Sequence, residues 1–484
     1  MEKHQSSSVD SPGPTVKKVR WWSRSGVRIT AGVVLYVIVG GIVLLTVPDL
    51  LLRNWFPELT AQRRAAFLGP ATTTVLFALG GTIALVGVGL SLSRHRQELE
   101  AAERDRERLH DDRERERARR DEVDAQRRIE TERALRERFV TTVKLLSDPA
   151  PVNRQAALFA LGALADDWDA FGNPDEVQVC IEVLTGYLRA PRSDEMRIPL
   201  PQKEIDKLDP SDRRDTQRTT PQEISVKQAG YTVVGRHLKP DAPAHWHDRD
   251  LYLAGAYIDF HVDLSDATIT NGGTIDLNGA TIITDSGYVA LDTATFTETG
   301  YLTLNDATIA DSGTISLNGA TIANHGSVEL FGATVINGGV VNFYGSTITD
   351  RGSLNLHSAT ITNRGSAVAL VNATISNSGT VTFDNATVSD SGLVDISGAT
   401  ITSRGTLDLD GAAITDSGMV SCRRVTITDS GVVTLDDTLI TDNGAVSLQD
   451  ANIADNVSAD LLTMVVCVGG SITLPDGTDH PSTA

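Results

Sequence analysis

From about residue 250 onward, apolar and polar positions alternate in short clusters, and a glycine sets each cluster off from the next. Gly287, Gly300, Gly313, Gly326, Gly339, Gly352 and Gly365 step by thirteen, one residue is inserted, and Gly379, Gly392, Gly405, Gly418, Gly431 and Gly444 resume the step. Counted from each glycine, apolar residues fall two and four places on (Val394 and Ile396), then Ala seven places on (Ala399), then Ile or Val nine places on (Ile401). Alternation within a cluster is the period of a strand. Asn318-Gly319, Asp384-Asn385 or Asp410-Gly411 separates the two strands of a unit, and Asp-Ser-Gly, as at Asp390 or Asp416, separates units. Such residues make tight turns. The pattern predicts a β-solenoid with about 13 residues per coil, flattened and two-sided, its thirteen glycines serving as turn residues. Apolar columns face inward and stack from coil to coil, because no coil buries its inner face alone. Earlier sets, Leu251, Leu253, Ala256 and Ile258, then Val262, Leu264, Ala267 and Ile269, extend it over residues 246–456. That is about sixteen such coils, or roughly 75 Å at ~4.8 Å per coil. The columns decay into Leu461 to Val468, so 457–484 reads as a terminal cap and tail.

The first fifth follows a different rule. Ile29 to Pro48 and Ala65 to Ser93 contain no charged residue, and each is long enough to cross a bilayer as a helix. Residues 29–93 therefore read as a two-helix transmembrane hairpin behind a basic tail, 1–28. Lys3, Lys17, Lys18, Arg20, Arg24 and Arg28 precede the first span, and Arg94, Arg96, Arg104, Arg106 and Arg108 follow the second. This excess outside the hairpin loop, with Trp21-Trp22 at the interface, predicts a multi-pass cell-membrane protein with both termini cytoplasmic. A cleaved signal peptide is the competing reading of the first span.

Residues 94–138 are charged almost throughout, with Glu100 before Arg104, Glu116 before Arg120 and Glu132 before Arg136, four apart on one helical face. They predict a charged helical stalk, either solitary or a coiled coil. Over 139–190, helical spacing interrupted by prolines predicts packed hairpins resembling HEAT repeats; 191–222 reads as a linker, and 223–245 as a helix capping the first coil. The fold class is thus multi-domain: membrane helical hairpin, all-α HEAT-like segment and β-solenoid.

Certain segments also resemble a known family. Arg-Glu-Arg-Phe-Val-Thr-Thr-Val-Lys-Leu-Leu-Ser (136–147), Ala-Leu-Phe-Ala-Leu-Gly-Ala-Leu-Ala-Asp-Asp-Trp (157–168), Val-Leu-Thr-Gly-Tyr-Leu-Arg-Ala-Pro (183–191) and His-Leu-Lys-Pro-Asp-Ala-Pro (237–243), ahead of Gly-Ala-rich coils, resemble pentapeptide-repeat membrane proteins of actinobacteria. The resemblance implies a right-handed, four-sided β-helix with about twenty residues per coil, and carries no agreed activity. This chain departs from it, since five does not divide thirteen and only patches such as Leu253-Ala-Gly-Ala-Tyr-Ile258 look like the pentapeptide.

Charge and candidate chemistry narrow the function. A net charge of -20 argues against direct nucleic-acid binding. Three cysteines, Cys180, Cys422 and Cys467, have no paired or metal spacing, and Cys422 stands in an inward column. No phosphate loop, nucleophile elbow or zincin motif occurs, so no catalytic residue, cofactor or metal is expected, and the protein reads as no enzyme. Two features hold alternatives open. His237, His245, His247 and His261 lie close in sequence, as metal ligands or as polar surface. Asp or Asn stands two places before eleven of the thirteen glycines, as Asx-turn residues or, at Asp416, Asp429 and Asp442, as a ladder for Ca²⁺. Thr-x-Thr patterns such as Thr400-Ile-Thr402 resemble ice-binding solenoids, against the plain preference of Thr for exposed strands. The expected function is a membrane-anchored, non-enzymatic scaffold that binds the lipid bilayer and protein partners whose identity the residues leave open. The alternatives are an acidic DNA mimic docking on a DNA-processing enzyme, or an envelope protein of reversed topology.

Overall fold

The computed structural model describes residues 24–58, 60–191, 196–199, 217–284, 286–454, 466–468, 470–477 and 479–480. Most of the basic tail, of the linker and of the terminal cap, together with Asp285, lies outside them. The chain divides into two units, 1–126 and 127–484.

In the first unit, α1 (Arg24–Trp55) and the beginning of α2 (Ala61–Leu145) carry the apolar runs, and both are long and apolar enough to cross a membrane. Their apolar side chains face outward: Leu45 is 81%, Phe77 79% and Leu85 74% exposed, a surface that water does not favour. The two helices touch where Tyr36 Oη lies 2.8 Å from Thr82 Oγ1, and Gly40 leaves room for Leu79. α2 continues without a break from the apolar run into the charged one, where pairs such as Arg120–Glu116 sit four residues apart in full solvent. Such pairs support an exposed helix by ~0.3–0.5 kcal/mol at most.

In the second unit, the end of α2 packs on α3 (Pro151–Phe171) and α4 (Pro174–Arg189), burying Leu135 with Leu161, Trp168, Ile181 and Leu184. α3 ends because Gly172 takes a left-handed conformation (φ 79°), its N–H closing on Asp169 O, and α4 restarts at a proline in its first turn. α5 (Pro221–Leu238) overlaps the helix expected over 223–245, beginning two residues earlier and ending at Leu238. Two of its glycines explain its place: a Cβ on Gly230 would collide with Leu188, and one on Gly235 with the carbonyl of Asp263 in the first coil. One helix thus lies against helices on one side and a strand on the other, and the apolar core runs unbroken from Leu158 through Val234 and Leu264 to Ile472.

The solenoid has four faces. One runs from Asp250–Tyr252 to Val432–Thr434 with eight strands, a second from Tyr257–Ile258 to Val466–Val468 with nine, a third from His261–Asp263 to Asp479–His480 with ten, and a fourth from Thr268–Ile269 to Asn452–Ile453 with eight. From Asp250–Tyr252 to Asn452–Ile453, neighbouring strands on a face are parallel and four apart in chain order, so Thr400 stands beside Thr374 and Thr426, twenty-six residues away on either side. The β-solenoid class stands, and the coil size is corrected. Thirteen residues make half a coil, the coil is four-sided rather than flattened, and about eight coils give a stack of roughly 38 Å. The physical reason is that each turn carries the chain to the next face instead of back along the strand just left. Consecutive strands do not pair, and two pattern-identical halves are needed to close the perimeter.

The glycine column also needs a new explanation. The left-handed positions at its corners are the two residues before glycine, as at Asp390 (φ 48°) and Ser391 (φ 67°), with Gly392 N donating to Ser389 O at 2.7 Å. This is a type I′ turn, and Asx occupies its first left-handed place because Asn and Asp tolerate that region best after glycine. Glycine itself answers a contact with the neighbouring coil: a Cβ on Gly418 would collide with Val388 O, and one on Gly392 with Ile361 O. Gly365 departs from the column. After the insertion Ser366 takes the clock position, one residue before Ala367, which pairs with Val340, and so in register with Gly339, while Gly365 is a turn residue with φ 92°. The other corners use a single left-handed residue, such as Gly345 (φ 64°), whose missing Cβ faces open space.

These two glycine roles are separable by substitution. Gly345→Ala forces only the left-handed backbone and is expected to cost about 1–2 kcal/mol. Gly418→Ala drives a methyl into a backbone carbonyl of the next coil, and its cost is expected at about 3 kcal/mol or more, the upper end of overpacking effects. Urea unfolding of the two variants checks the order; equal losses would remove the coil-contact explanation of the column.

Candidate functional site

Among the described residues, reactive residue types are present but form no buried cluster of nucleophile, base and donor. Only two of the four histidines, His245 and His247, lie side by side, and they do so as stacked rings. His237 Nδ1–H donates to Val233 O at 2.7 Å, its Nε2 meets Asp166 Oδ1 at 2.9 Å, and its ring stacks on the buried Trp246 at 4.0 Å. His247 Nε2 bonds Lys239 O at 2.8 Å and its ring stacks on His245, whereas His261 stacks on Tyr288. The structure therefore does not gather them as metal ligands. Among the described residues, His110, Asp111 and Glu114 approach one another closely enough to share an ion, but all three lie exposed on the charged stretch of α2, where unoccupied acidic groups are ordinary.

The proposed calcium ladder is split by the coil size. Asp416 and Asp442 stack on one corner, where Ser417 N donates to Asp442 O at 3.0 Å, and Asp390 precedes them. Asp429, thirteen residues from each, belongs to the other corner of this type, with Asp350 and Asn377. The side chains of these columns are held by neighbours: Thr362 Oγ1 donates to Asp390 Oδ2 at 3.0 Å, Thr415 to Asp416 at 3.2 Å and Thr402 to Asp429 at 3.2 Å. True Asx turns occur at different corners, where Asp395 Oδ1 accepts from Ser397 N and Asp408 Oδ1 from Asp410 N, both at 3.0 Å.

Sequence reasoning missed a buried polar cluster that locks α5 onto the helical segment. Arg154 Nη2 donates to Glu223 Oε2 at 2.7 Å and its Nε to Tyr187 Oη at 2.8 Å, while Tyr187 Oη–H donates to Glu223 Oε1 at 2.9 Å. Arg154 Nη1 donates to the carbonyls of Asp148 and Pro149. Every member is satisfied, which is what such a cluster requires when withdrawn from water. A signal was present: Thr220-Pro-Gln-Glu223 reads as a capping box, and Thr220 does cap α5, accepting from Glu223 N at 3.3 Å. The Glu223 carboxylate turns to Arg154 instead, a long-range choice that local spacing does not encode. Beside this cluster lies a cleft of about 500 Å³, and another of about 410 Å³ between α3 and α5 is bordered by Phe159, Asp166, Arg236 and His237. The second is where the 157–168 and 237–243 segments meet.

No protein-family model matches the chain, and no curated protein is detectably similar to it.

The thiols of Cys180 and Cys422 are inert by burial. Cys422 stands in the inward column as expected, and burial, aided by Asp395, pushes its thiol up to about 12; burial and Glu176 do the same to Cys180. Both stay protonated at pH 8, and the thiol is not the nucleophilic form. In a background with Cys467→Ser, the native protein is expected to show no reactive thiol toward a disulfide reagent at pH 8, and the unfolded protein to show both. A thiol that titrates at full rate in the native state would contradict the burial of its column.

Proposed function

We propose that this protein is a membrane-anchored, non-enzymatic scaffold whose solenoid, continuous with its helical segment, binds protein partners on the cytoplasmic face. The observation that supports the reading best is the shared core. α5 joins helices and coils into one body with long parallel faces, as repeat proteins offer to partners. The outward residues of those faces repeat Thr, Ser, Asp and Asn, and the titratable groups found near one another are tied up in turns and structural pairs. The two apolar helices supply the anchor, and the Lys and Arg excess outside their loop supports cytoplasmic termini. The resemblance to pentapeptide-repeat membrane proteins fits the four sides of the coil, although a perimeter of twenty-six residues is larger than that family's.

Topology is tested by labelling. A tag inserted after Pro57 is expected to react from outside intact cells and one after Ala484 to be protected; the reverse pattern would place the solenoid outside.

The distributed surface is tested by removing coils. Deleting residues 380–405 joins Gly379 to Thr406, which already occupies the position paired with Thr380, so one whole coil leaves without a change of register. Such variants are expected to fold and to bind a partner captured in mild detergent more weakly, without abolishing binding. If one deletion abolishes binding and the others leave it untouched, a single docking site replaces the distributed one.

A further inference from the structure

α3 and α5 approach closely at Gly162, where a Cβ would collide with Val233, and the cleft of about 410 Å³ opens beside that contact. Its walls include Phe159, Ala163, Val233, Ala242 and Pro243, and three polar side chains border it: Asp166, Arg236 and His237. An apolar hollow of a few hundred Å³ with few polar groups is the usual make-up of a small-molecule site. The polar three are not equivalent. Val233 O and the Asp166 carboxylate are both acceptors, so the bonds of His237 to them place a proton on each ring nitrogen, and the His237–Asp166 pair is neutral as a whole. The imidazole has no nitrogen left, and stacking on Trp246 holds its plane. Arg236 is different. Its guanidinium lies over the Phe159 ring, 5.9 Å from the centroid, and makes no hydrogen bond or ion pair among the described residues. Other cations around the helical segment have their acids: Arg136 meets Glu176, Arg138 meets Asp167, Arg154 meets Glu223 and Lys239 meets Asp266. Asp166 borders the same cleft as Arg236 and yet pairs with the imidazole. The cation–π contact orients the guanidinium without taking up a donor. A basic residue in the last turn of a helix answers the dipole without taking one up either.

We infer that this cleft binds a small organic carboxylate, its two oxygens on the Arg236 guanidinium and its apolar body against Phe159, Ala163 and Pro243. A carboxylate matches the planar fork of a guanidinium bidentately. Because the His237–Asp166 pair is neutral, the charge the cleft presents is the single positive charge of Arg236, and one carboxylate balances it. A phosphate ester carries nearly two negative charges at neutral pH and would set the second against Asp166. The cleft beside Arg154 offers no such group, since that guanidinium already donates to Glu223, Tyr187 and two carbonyls. The inference goes beyond the scaffold reading and does not rest on it.

The test uses the full chain in lipid nanodiscs, with empty nanodiscs as control, and 4-fluorobenzoate as the probe, followed by its fluorine NMR line width. A molecule of about ten non-hydrogen atoms is expected to bind with a Kd of about 1 mM and to be displaced by unlabelled benzoate. Arg236→Gln is expected to weaken binding at least tenfold, whereas Arg404→Gln, the same change of charge at an exposed position of the solenoid, is expected to leave it unchanged. Ala163→Leu fills the cleft from an exposed position of α3 and keeps every charge, so a loss of at least fivefold there places the probe in the cleft even if the arginine variant is poorly folded. Neutral 4-fluorobenzamide is expected to bind at least tenfold more weakly than the carboxylate. Line widths no greater than with empty nanodiscs overturn the inference, as do equal losses in the two arginine variants or equal binding of the amide. Tighter binding of 4-fluorophenyl phosphate than of 4-fluorobenzoate would overturn the carboxylate assignment and give the cleft to a phosphate ester.

Discussion

A backbone carbonyl that accepts a hydrogen bond from the coil above has little room left beside it. Val388 O accepts from Thr415 N at 3.0 Å, and the chain then turns so that Gly418 passes over the same oxygen. A side chain there would push the coils apart, and parallel ladders four strands apart would lose their spacing on every face at once. The glycine column is thus a constraint on coil-to-coil approach, and the two left-handed residues ahead of it are a consequence: they lift the chain around the corner so that glycine arrives where it must. Each left-handed residue costs about 1–2 kcal/mol if it is not glycine. That cost is offset locally, because the N–H of the second one donates to the coil above, as Ser391 N does to Asp416 O at 3.2 Å.

Stacking of this kind leaves two open ends, and an open sheet edge recruits other strands. At the start, α5 lies over the first coil. Gln228 donates to His261 O, and Tyr231 packs against Phe260 at 6.1 Å. The helix is itself held from behind by the buried Arg154–Tyr187–Glu223 cluster and by Lys227, whose ammonium donates to Leu188 O at the end of α4. The first coil therefore begins on a template whose position is fixed by polar contacts sixty-nine residues apart, between Arg154 and Glu223. At the far end the third face closes with an antiparallel strand, Asp479–His480 against Ile472 and Thr473, which ends parallel growth there.

The strands, their inward columns and both kinds of turn were legible because they are local: Ile401, Val394 and Ala399 are fully buried where the alternation put them. The helical segment and the cap were legible for the same reason, from spacing and prolines. What the pattern could not carry was closure. A period states that residue 400 and residue 413 have equivalent surroundings; it does not state whether they touch. The two halves of a coil are alike in pattern, so thirteen and twenty-six fit the sequence equally well, and only the ladders decide that Thr400 meets Thr426. The Arg154–Glu223 pair was hidden by the same limit, since neither residue's neighbours announce a partner so far along the chain.

Closure also decides what the surface offers. With thirteen residues per coil, Asp416, Asp429 and Asp442 would form one ladder and every Thr-Ile pair would share one face. With twenty-six, the alternate units separate, and each of the four faces and four corners draws on every second unit only. The chain can then differentiate its sides by letting odd and even units drift apart in composition while the common apolar columns stay fixed. Thr occupies the first outward place of the fourth face from Thr268 to Thr426, while the equivalent place on the second face passes from Tyr257 through Thr334 to Leu439. The half-coil repeat supplies the stability and the full coil supplies the chemistry, so any search for a binding surface on this chain has to be made at the longer period.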